Sequence, residues 1–453
     1  MGGRPWYAWE WLYDGAIAAV HHFTGLNGVV LVTALLISIT FAWVFRLSLN
    51  RGSSMLVTLI LLVLSVFASS IHFFARPHVL SWLMAVVWFD IIDRSETSAE
   101  KRRQLWLLVP LTPLWVNVHG GFLLGFALLA IYLAAAAIRY FRSKDIEERS
   151  KTRTWLNQLS KVTLLSALAT LANPYGYHLH VHVYRYLSDR FLMNHIDEFH
   201  SPNFHGLAQQ CFAAMLLITL VAMAIARGRL RTTHLLVVVF SAYSGLYASR
   251  NLPTSCILLM LVIGPILSKA ISDLRNDTSV AHPLRRLAER LYTFDARMHN
   301  MEFRFRGHLW PAVMVILGLA VCIHGGRIGS RQFMRAHFDA KRFPVQAADV
   351  IAQRDIHEPI FAPDYWGGYL IYRFYPQVKV AVDDRHDLYG DQFLKDYLRV
   401  INIQSGWDDV LTRQQVNWVL MPAGSSLANL LKETRQWTIR YEDGVAVLFQ
   451  KTR

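Results

Sequence analysis

Arg76, His78, Asn117, His119, Asn173, Arg250 and Asn251 all stand at the ends of long apolar blocks in this chain. A polar side chain at membrane depth is costly to keep there, so its presence argues for a role. A guanidinium matches a phosphate with two parallel donors and stays charged, which suits Arg76 and Arg250 to a phosphate group. His78, Asn117 and Asn251 would add donors beside them. The competing reading is that each arginine snorkels to lipid headgroups. His119 lies in Asn117-Val118-His119-Gly120-Gly121, where the glycines let backbone or ligand approach closely. It could act as acid, base or ligand, or it could be a hydrogen-bonded residue of a helix-hairpin turn.

Two further clusters carry chemical side chains. The 173–208 segment opens with Asn173-Pro174-Tyr175-Gly176-Tyr177 and holds six histidines, three of them alternating as His178, His180 and His182. Asp197, Glu198, His200 and His205 follow. Divalent-metal ligation is one reading, and an interfacial amphipathic helix is the other, since no spacing matches a specific metal motif. Near the C-terminus, Asp383, Asp384, Arg385, His386 and Asp387 follow the β-like run Val378–Val382. Ligands of α/β sheets gather beyond the carboxyl ends of strands. Asp364 and Trp366 open a segment in which aromatics stand beside acids and glycines, a mixture that suits a sugar or peptide. Alternatively, Asp364 caps a helix and the aromatics pack inward.

The elements that must position these residues are membrane helices. Of the residues, 53% are hydrophobic and only 17% are charged, against roughly 25% charged in soluble domains. Ten apolar spans are expected, at about 25–47, 54–74, 77–93, 104–117, 120–141, 158–172, 209–226, 232–248, 252–270 and 308–325. Pro110 and Pro113 interrupt the fourth, which is tolerated where a helix lines a cavity. Alternate loops hold 24 of the Lys and Arg residues, and the opposite segments before residue 326 hold five. The positive-inside rule therefore puts the basic set in the cytoplasm. It puts Arg76, His119, Arg250 and everything after residue 326 on the non-cytoplasmic side of the membrane, where the three side chains should converge in one pocket.

From 326 to 453 the pattern changes to short β-like runs, at 360–362, 378–382, 416–421, 437–441 and 445–449. Helical stretches near 344–355, 391–403, 407–415 and 425–434 separate them. Alternating strands and helices predict a small α/β domain whose last two strands form a hairpin at Asp443-Gly444. The expected architecture is thus a polytopic α-helical bundle over residues 1–325 and an extracytoplasmic α/β domain over 326–453. A formal net charge of +14 would suggest nucleic acid in a soluble protein, but the excess sits in the loops between spans and needs no such partner. Cys211, Cys256 and Cys322 lie in apolar blocks, so neither a disulfide framework nor a cysteine metal site is available.

Several of these stretches together carry a resemblance. They are Gly3-Arg4-Pro5-Trp6 leading to Glu10-Trp11-Leu12, Arg76-Pro77-His78, Trp115–Gly121, Asn173-Pro174-Tyr175-Gly176 and Trp366-Gly367-Gly368-Tyr369. They resemble a group of bacterial multi-pass membrane proteins similar to the GT-C class of membrane glycosyltransferases. Asp364-Tyr365-Trp366-Gly367-Gly368 also resembles the Trp-Trp-Asp-Tyr-Gly motif of the oligosaccharyltransferase catalytic subunit. Its residue order differs, so no role is carried over.

The resemblance implies a sugar donor on a polyprenyl phosphate, an acceptor outside the cytoplasm, catalytic acids in the first external loop, and in some members a divalent cation such as Mg or Mn. In that region this chain offers Glu10 and Asp14, one of which would be the general base. Arg76, His119 and Arg250 would stabilise the departing phosphate. It also implies that a helix and an acidic stretch precede the equivalent of Gly3, so the chain is expected to lack its first transmembrane helix. Against this reading stand a transporter or lipid-handling protein with a polar passage, and a non-catalytic scaffold. A transporter should show repeat symmetry between its halves, and none is visible.

Overall fold

The apolar blocks fold as helices. In a computed structural model, residues 6–226, 230–276, 281–305 and 309–452 are described. Gly3, Arg4, Pro5, Arg227, Arg229, Arg306 and the start of the last expected span at residue 308 lie outside that set. The first helices are α1 (Trp11–Asn50), α2 (Met55–Ser69), α3 (His78–Thr97), α4 (Leu108–Val118), α5 (Phe122–Arg142), α6 (Ile146–Ala169), α7 (Tyr177–Ser188) and α8 (Arg190–Met193). Then come α9 (Leu207–Ile225), α10 (Thr232–Tyr247), α11 (Leu252–Asn276), α12 (His282–Phe305) and α13 (Leu309–Ile323).

Among the described residues five stretches are long and apolar enough to cross a membrane: Trp11–Asn50, Met55–His72, Phe122–Arg142, Leu207–Ile225 and Ser249–Asn276. The expected count of ten is not reached on these criteria, for reasons visible in the residues. The described helix α3 carries Asp90, Asp93, Arg94 and Glu96; α4 has only 11 residues; α6 opens on a charged half; α10 and α13 have 16 and 15 residues. The first span also differs. Its expected start near residue 25 is a break inside α1, where Gly25 takes φ +61° and ψ −159°, a conformation open essentially only to glycine.

The membrane unit, Ala8–Arg185 with Met193–Arg335, is packed around large aromatics. Trp88 and Trp115 meet edge-on with ring centroids 4.9 Å apart, and Phe89, Tyr132, Trp155 and Phe212 are fully buried. One end of this bundle is tied by an ionic network that the sequence did not advertise. Asp90, Asp93 and Glu96 of α3 project at i, i+3 and i+6 from one face. Arg51 pairs with Asp93 at 2.6 Å and Asp90 at 3.2 Å, while Arg94 adds a contact to Asp90 at 2.8 Å. Arg231 reaches Asp93 at 3.0 Å and Glu96 at 3.1 Å, and Arg139 reaches Glu96 at 3.2 Å. Tyr132 donates to Asp93 at 2.9 Å and Thr233 to Glu96 at 2.8 Å. These arginines belong to the basic loops that fixed the expected topology, and here they neutralise buried carboxylates.

The other unit comprises Ala336–Arg453, Tyr186–Leu192 and N-terminal residues including Trp6. It contains α14 (Val345–Gln353), α15 (Asp364–Phe374), α16 (His386–Tyr389), α17 (Asp391–Ile401), α18 (Trp407–Arg413) and α19 (Ser426–Glu433). A two-stranded ribbon, β1 (Arg327–Ile328) with β2 (Arg331–Gln332), precedes it. Its four-stranded sheet has the order β3 (Ile360–Phe361), β4 (Trp418–Pro422), β6 (Ala446–Lys451), β5 (Trp437–Glu442). β3 runs parallel to β4, and the other neighbours are antiparallel. The β5–β6 hairpin turns where Asp443 Oδ1 accepts from the backbone N–H of Val445 and Ala446, both at 2.7 Å.

The run 378–382, expected as a strand, forms a single bridge between Val380 and Ile360. β3 stops at Phe361 before Pro363, which cannot donate, so little edge is left to pair with. Ala347, Ile351, Trp366, Leu370, Leu420 and Leu448 form the core between sheet and helices.

Candidate functional site

Within the membrane unit, the end of the bundle opposite the ionic network gathers the polar residues singled out in the sequence. α4 ends at Val118 and α5 begins at Phe122, so His119 sits at the bend. Its Nδ1 accepts the Gly121 backbone N–H at 3.0 Å and lies 2.8 Å from Ser81 Oγ. Ser81 Oγ accepts the Trp115 indole N–H at 2.8 Å. A backbone N–H can only donate, so Nδ1 carries no proton in this arrangement and the ring proton is on Nε2. Nε2 points towards Glu10, with Oε1 at 3.7 Å. The glycine earns its place by sterics: a Cβ on Gly121 would meet His119 Nδ1 at 2.6 Å and Ser81 Oγ at 2.7 Å.

Asn117, next along, is taken up by the framework. Its Oδ1 accepts the Trp11 indole N–H at 2.7 Å, and its Nδ2 donates to the carbonyls of Pro113 and Ala172 at 2.7 and 2.8 Å. Both of its donors are spent inside the protein, so the expected phosphate contact has no N–H to use. Asn251 donates to Ser244 O at 3.1 Å. Asn173 forms a turn, donating to Thr170 O at 2.8 Å and accepting from the Tyr175 N–H at 2.8 Å. The Tyr175 hydroxyl in turn accepts the Ala8 N–H at 2.8 Å, which fixes the approach to Glu10.

His78 Nε2 bonds His72 O at 2.7 Å and His72 Nε2 bonds Ser249 O at 3.1 Å; both partners are acceptors, so both nitrogens donate. Arg250 stacks on the Phe199 ring at 4.4 Å and lies 3.6 Å from Glu198. His78 reaches His72, and His72 reaches Ser249 beside Arg250, so the starts of α3 and α11 meet at this end of the bundle. Asp14 is exposed, one turn further along α1.

His72, Ser81 and Glu198 join this group from outside the residues expected there. The signal for Ser81 was its position one turn into α3, three residues after His78. The histidines of α7 are dispersed: Thr170 Oγ1 meets His180 Nε2 at 2.8 Å, and His182 packs edge-on against Trp9. Among the described residues no group of three or more His, Cys, Asp or Glu side chains is arranged to hold a metal ion.

In the C-terminal unit, Asp364 and the 383–387 loop meet beside the carboxyl ends of β3 and the Val380 bridge. Asp364 does not cap α15, whose N-cap is Pro363. Its carboxylate takes His386 Nε2 at 2.9 Å on Oδ2 and the Tyr397 hydroxyl at 3.1 Å on Oδ1. Burial alone would raise its pKa, yet these bonds with His386 and Tyr397 hold it below the usual range. Asp383 is fully buried and accepts the Arg385 backbone N–H at 3.0 Å and Nε at 2.8 Å, with Nη2 on its other oxygen. Its pKa also falls despite burial, because Arg385 and Tyr389 favour the anion. Arg385 lies 5.0 Å from the Trp6 ring. Trp366 is 2% exposed, and its indole donates to Arg342 O at 2.9 Å, so it is part of the core. A Cβ on Gly367 would meet Val382 O at 2.4 Å, which is why a glycine lets α15 close on the 382–383 backbone. Asp384 and Asp387 complete the loop.

No family model matches the chain, and no curated protein matches it in sequence. Solved structures do match its fold. The Archaeoglobus fulgidus oligosaccharyltransferase in its apo form superposes with a TM-score of 0.52 over 92% of this chain at 10% identity. This chain spans 62% of that enzyme's length. ArnT from Cupriavidus metallidurans, bound to undecaprenyl phosphate, aligns over 96% of this chain and 86% of its own length, at 15% identity and a TM-score of 0.46. The chain has a GT-C-like fold, and at such identity the likeness is one of fold alone.

Proposed function

We propose that the protein is a GT-C-type membrane glycosyltransferase that moves a sugar from a polyprenyl-phosphate donor to an acceptor outside the cytoplasm. The observation that carries the reading is the fold, shared with an oligosaccharyltransferase over 92% of the chain. The contents of the polar end support it. Glu10 is the general base that takes the acceptor hydroxyl proton as that oxygen attacks the anomeric carbon. The bond from the anomeric carbon to the phosphate oxygen breaks, and the phosphate leaves with the negative charge. Arg250 and Arg76 offset that charge. His119 Nε2–H faces Glu10 and favours its anion.

An apolar groove between α1 and α13, lined by Phe23, Leu31, Val32, Leu319 and Ile323, offers a bed for an isoprenoid tail beside the Gly25 break. In the C-terminal unit, Asp364, Asp384, Arg385 and Asp387 are proposed ligand contacts of their own, while the fully buried Asp383 holds Arg385 in place. No step here depends on a divalent cation.

The test is turnover by the purified protein in nanodiscs supplied with a panel of undecaprenyl-phosphate-linked sugars. Sugar release from at least one donor is expected, with Glu10→Gln slower by roughly 10²–10⁴-fold. Donors that stay intact with the native protein and show no saturable binding would overturn the reading.

A further inference from the structure

Helix α12, between α11 and α13, has a surface that the proposed reaction does not use. Leu287, Phe294 and Met301 recur every seven residues and are 53%, 51% and 52% exposed. Leu291 and Met298 fall between them, at spacings of four and three, and are half-buried. At about 100° per residue these five share one face of the helix. Arg286, Arg290 and Arg297, all exposed, form a row along one flank of that face. The other flank is docked on the bundle. Asp295 Oδ1 accepts the Leu56 N–H at 2.7 Å, inside the first turn of α2. Arg275 at the end of α11 lies 3.9 Å from the Tyr292 ring and 3.8 Å from Glu289.

These contacts set the depth of α12. α2 and α11 belong to stretches long and apolar enough to cross a membrane, and ends of such helices belong at the headgroups. A helix pinned to both ends lies along that boundary. Its exposed leucine, phenylalanine and methionine then face the acyl chains, and its arginines sit at the level of the phosphates. His282, Arg286, Leu287 and Arg290 also line an open groove at the start of the helix.

We propose that α12 is an interfacial helix that binds the anionic lipid surface. Leu287, Phe294 and Met301 enter the acyl boundary, and Arg286, Arg290 and Arg297 engage headgroup phosphates. A seven-residue apolar repeat would also suit a helix from a second copy. The single-signed arginine flank argues against that occupant, because pairing would set like charges side by side, whereas an anionic leaflet supplies the opposite sign.

Spin labels at Leu287→Cys, Phe294→Cys, Met301→Cys and, on the aqueous side, Thr293→Cys test the proposal. They are placed in a Cys211→Ala background, since Cys256 and Cys322 are buried. The full chain goes into phosphatidylglycerol–phosphatidylcholine nanodiscs and into phosphatidylcholine alone. In the anionic discs, oxygen should reach the three apolar sites better than a water-soluble nickel chelate does, with the order reversed at Thr293. Adding R286E, R290E and R297E together should weaken that contrast in anionic discs and spare it in neutral ones. Equal access of the chelate to all four labels in the native-arginine background would overturn the proposal. So would spin–spin broadening at Phe294→Cys that marks pairing of two copies, or a charge reversal without effect in anionic lipid.

Discussion

At the scale of single residues, His119 is held as one tautomer rather than left free to exchange protons. The Gly121 N–H cannot change direction, so protonating Nδ1 would set two donors against each other. The ring therefore acts through Nε2, and its contribution is to orient and stabilise the Glu10 anion. That separates two substitutions. Gln at 119 can keep an N–H near the Nε2 position, while Asn is shorter and cannot reach Glu10. His119→Asn should lose roughly ten- to a hundredfold in turnover, the worth of one hydrogen bond to a charged group at about 1.5–3 kcal/mol, and His119→Gln should recover most of it. Equal losses in both, with one limb of the pH–rate profile gone, would make His119 a proton carrier instead. A ¹⁵N spectrum of histidine-labelled protein, with the His119 signals identified by their absence in the Gln variant, should show Nδ1 unprotonated across neutral pH.

At the scale of elements, two charge clusters do different work. In the C-terminal unit, Asp364 and Asp383 have pKa values below their unfolded ones. A depressed carboxylate contributes stability above the unfolded value of about 3.8, and that contribution fades as pH falls through the folded value. The unit should therefore melt at progressively lower temperature below about pH 4. Asp383→Asn should cost about 1–3 kcal/mol at pH 7, because a fully buried acceptor of Arg385 becomes neutral, and it should flatten the acid dependence. Thermal melts of both proteins from pH 7 to pH 3 check this; parallel curves would refute the assignment.

In the membrane unit, Asp93 joins Arg51, Arg231, His234 and Tyr132, which belong to or adjoin α1, α5 and α10. Removing one member of a buried ion pair leaves its partners uncompensated and costs about 3–5 kcal/mol. Asp93→Asn should lower resistance to unfolding in detergent by that amount, and the distant Glu10 site should lose activity only as folded protein is lost. A fully stable Asp93→Asn protein would mean that the network adds nothing.

At the scale of the whole molecule, the ionic network and the Glu10–His119 group lie at opposite ends of the same bundle. The basic loops cluster at the first end. If the positive-inside rule governs insertion, the second end and the chain after α13 face away from the cytoplasm. An alkaline phosphatase fused after Arg453 should be active in a bacterial host, and a cytoplasm-only reporter there should be silent. The reverse pattern would move the proposed site to the cytoplasm and remove the class of acceptor assigned to it.

The sequence by itself settled what depends on local pattern. Apolar runs announced the membrane helices, because lipid leaves a backbone no partner but its own helix. In the C-terminal unit, the helices near 344–355, 391–403, 407–415 and 425–434 and the Asp443-Gly444 hairpin were legible from short-range periodicity and turn chemistry, and the structure places all of them within two residues at most ends. Contacts between distant segments were not legible. Glu10 and His119 are 109 positions apart, and only packing brings them together. Asn117 looked like a ligand because its type and place were right, yet Trp11, Pro113 and Ala172 had already claimed it. The basic loops gave no hint of their partners: four of their arginines meet carboxylates of α3, of which Asp90 and Asp93 lie inside the expected apolar span 77–93 and Glu96 just beyond it. The heptad of Leu287, Leu291, Phe294, Met298 and Met301 runs through a strongly basic stretch between two expected spans, and the charge masks its helical period. A pattern along the chain reports which face a residue occupies. Which side chain waits opposite that face is decided by tertiary packing.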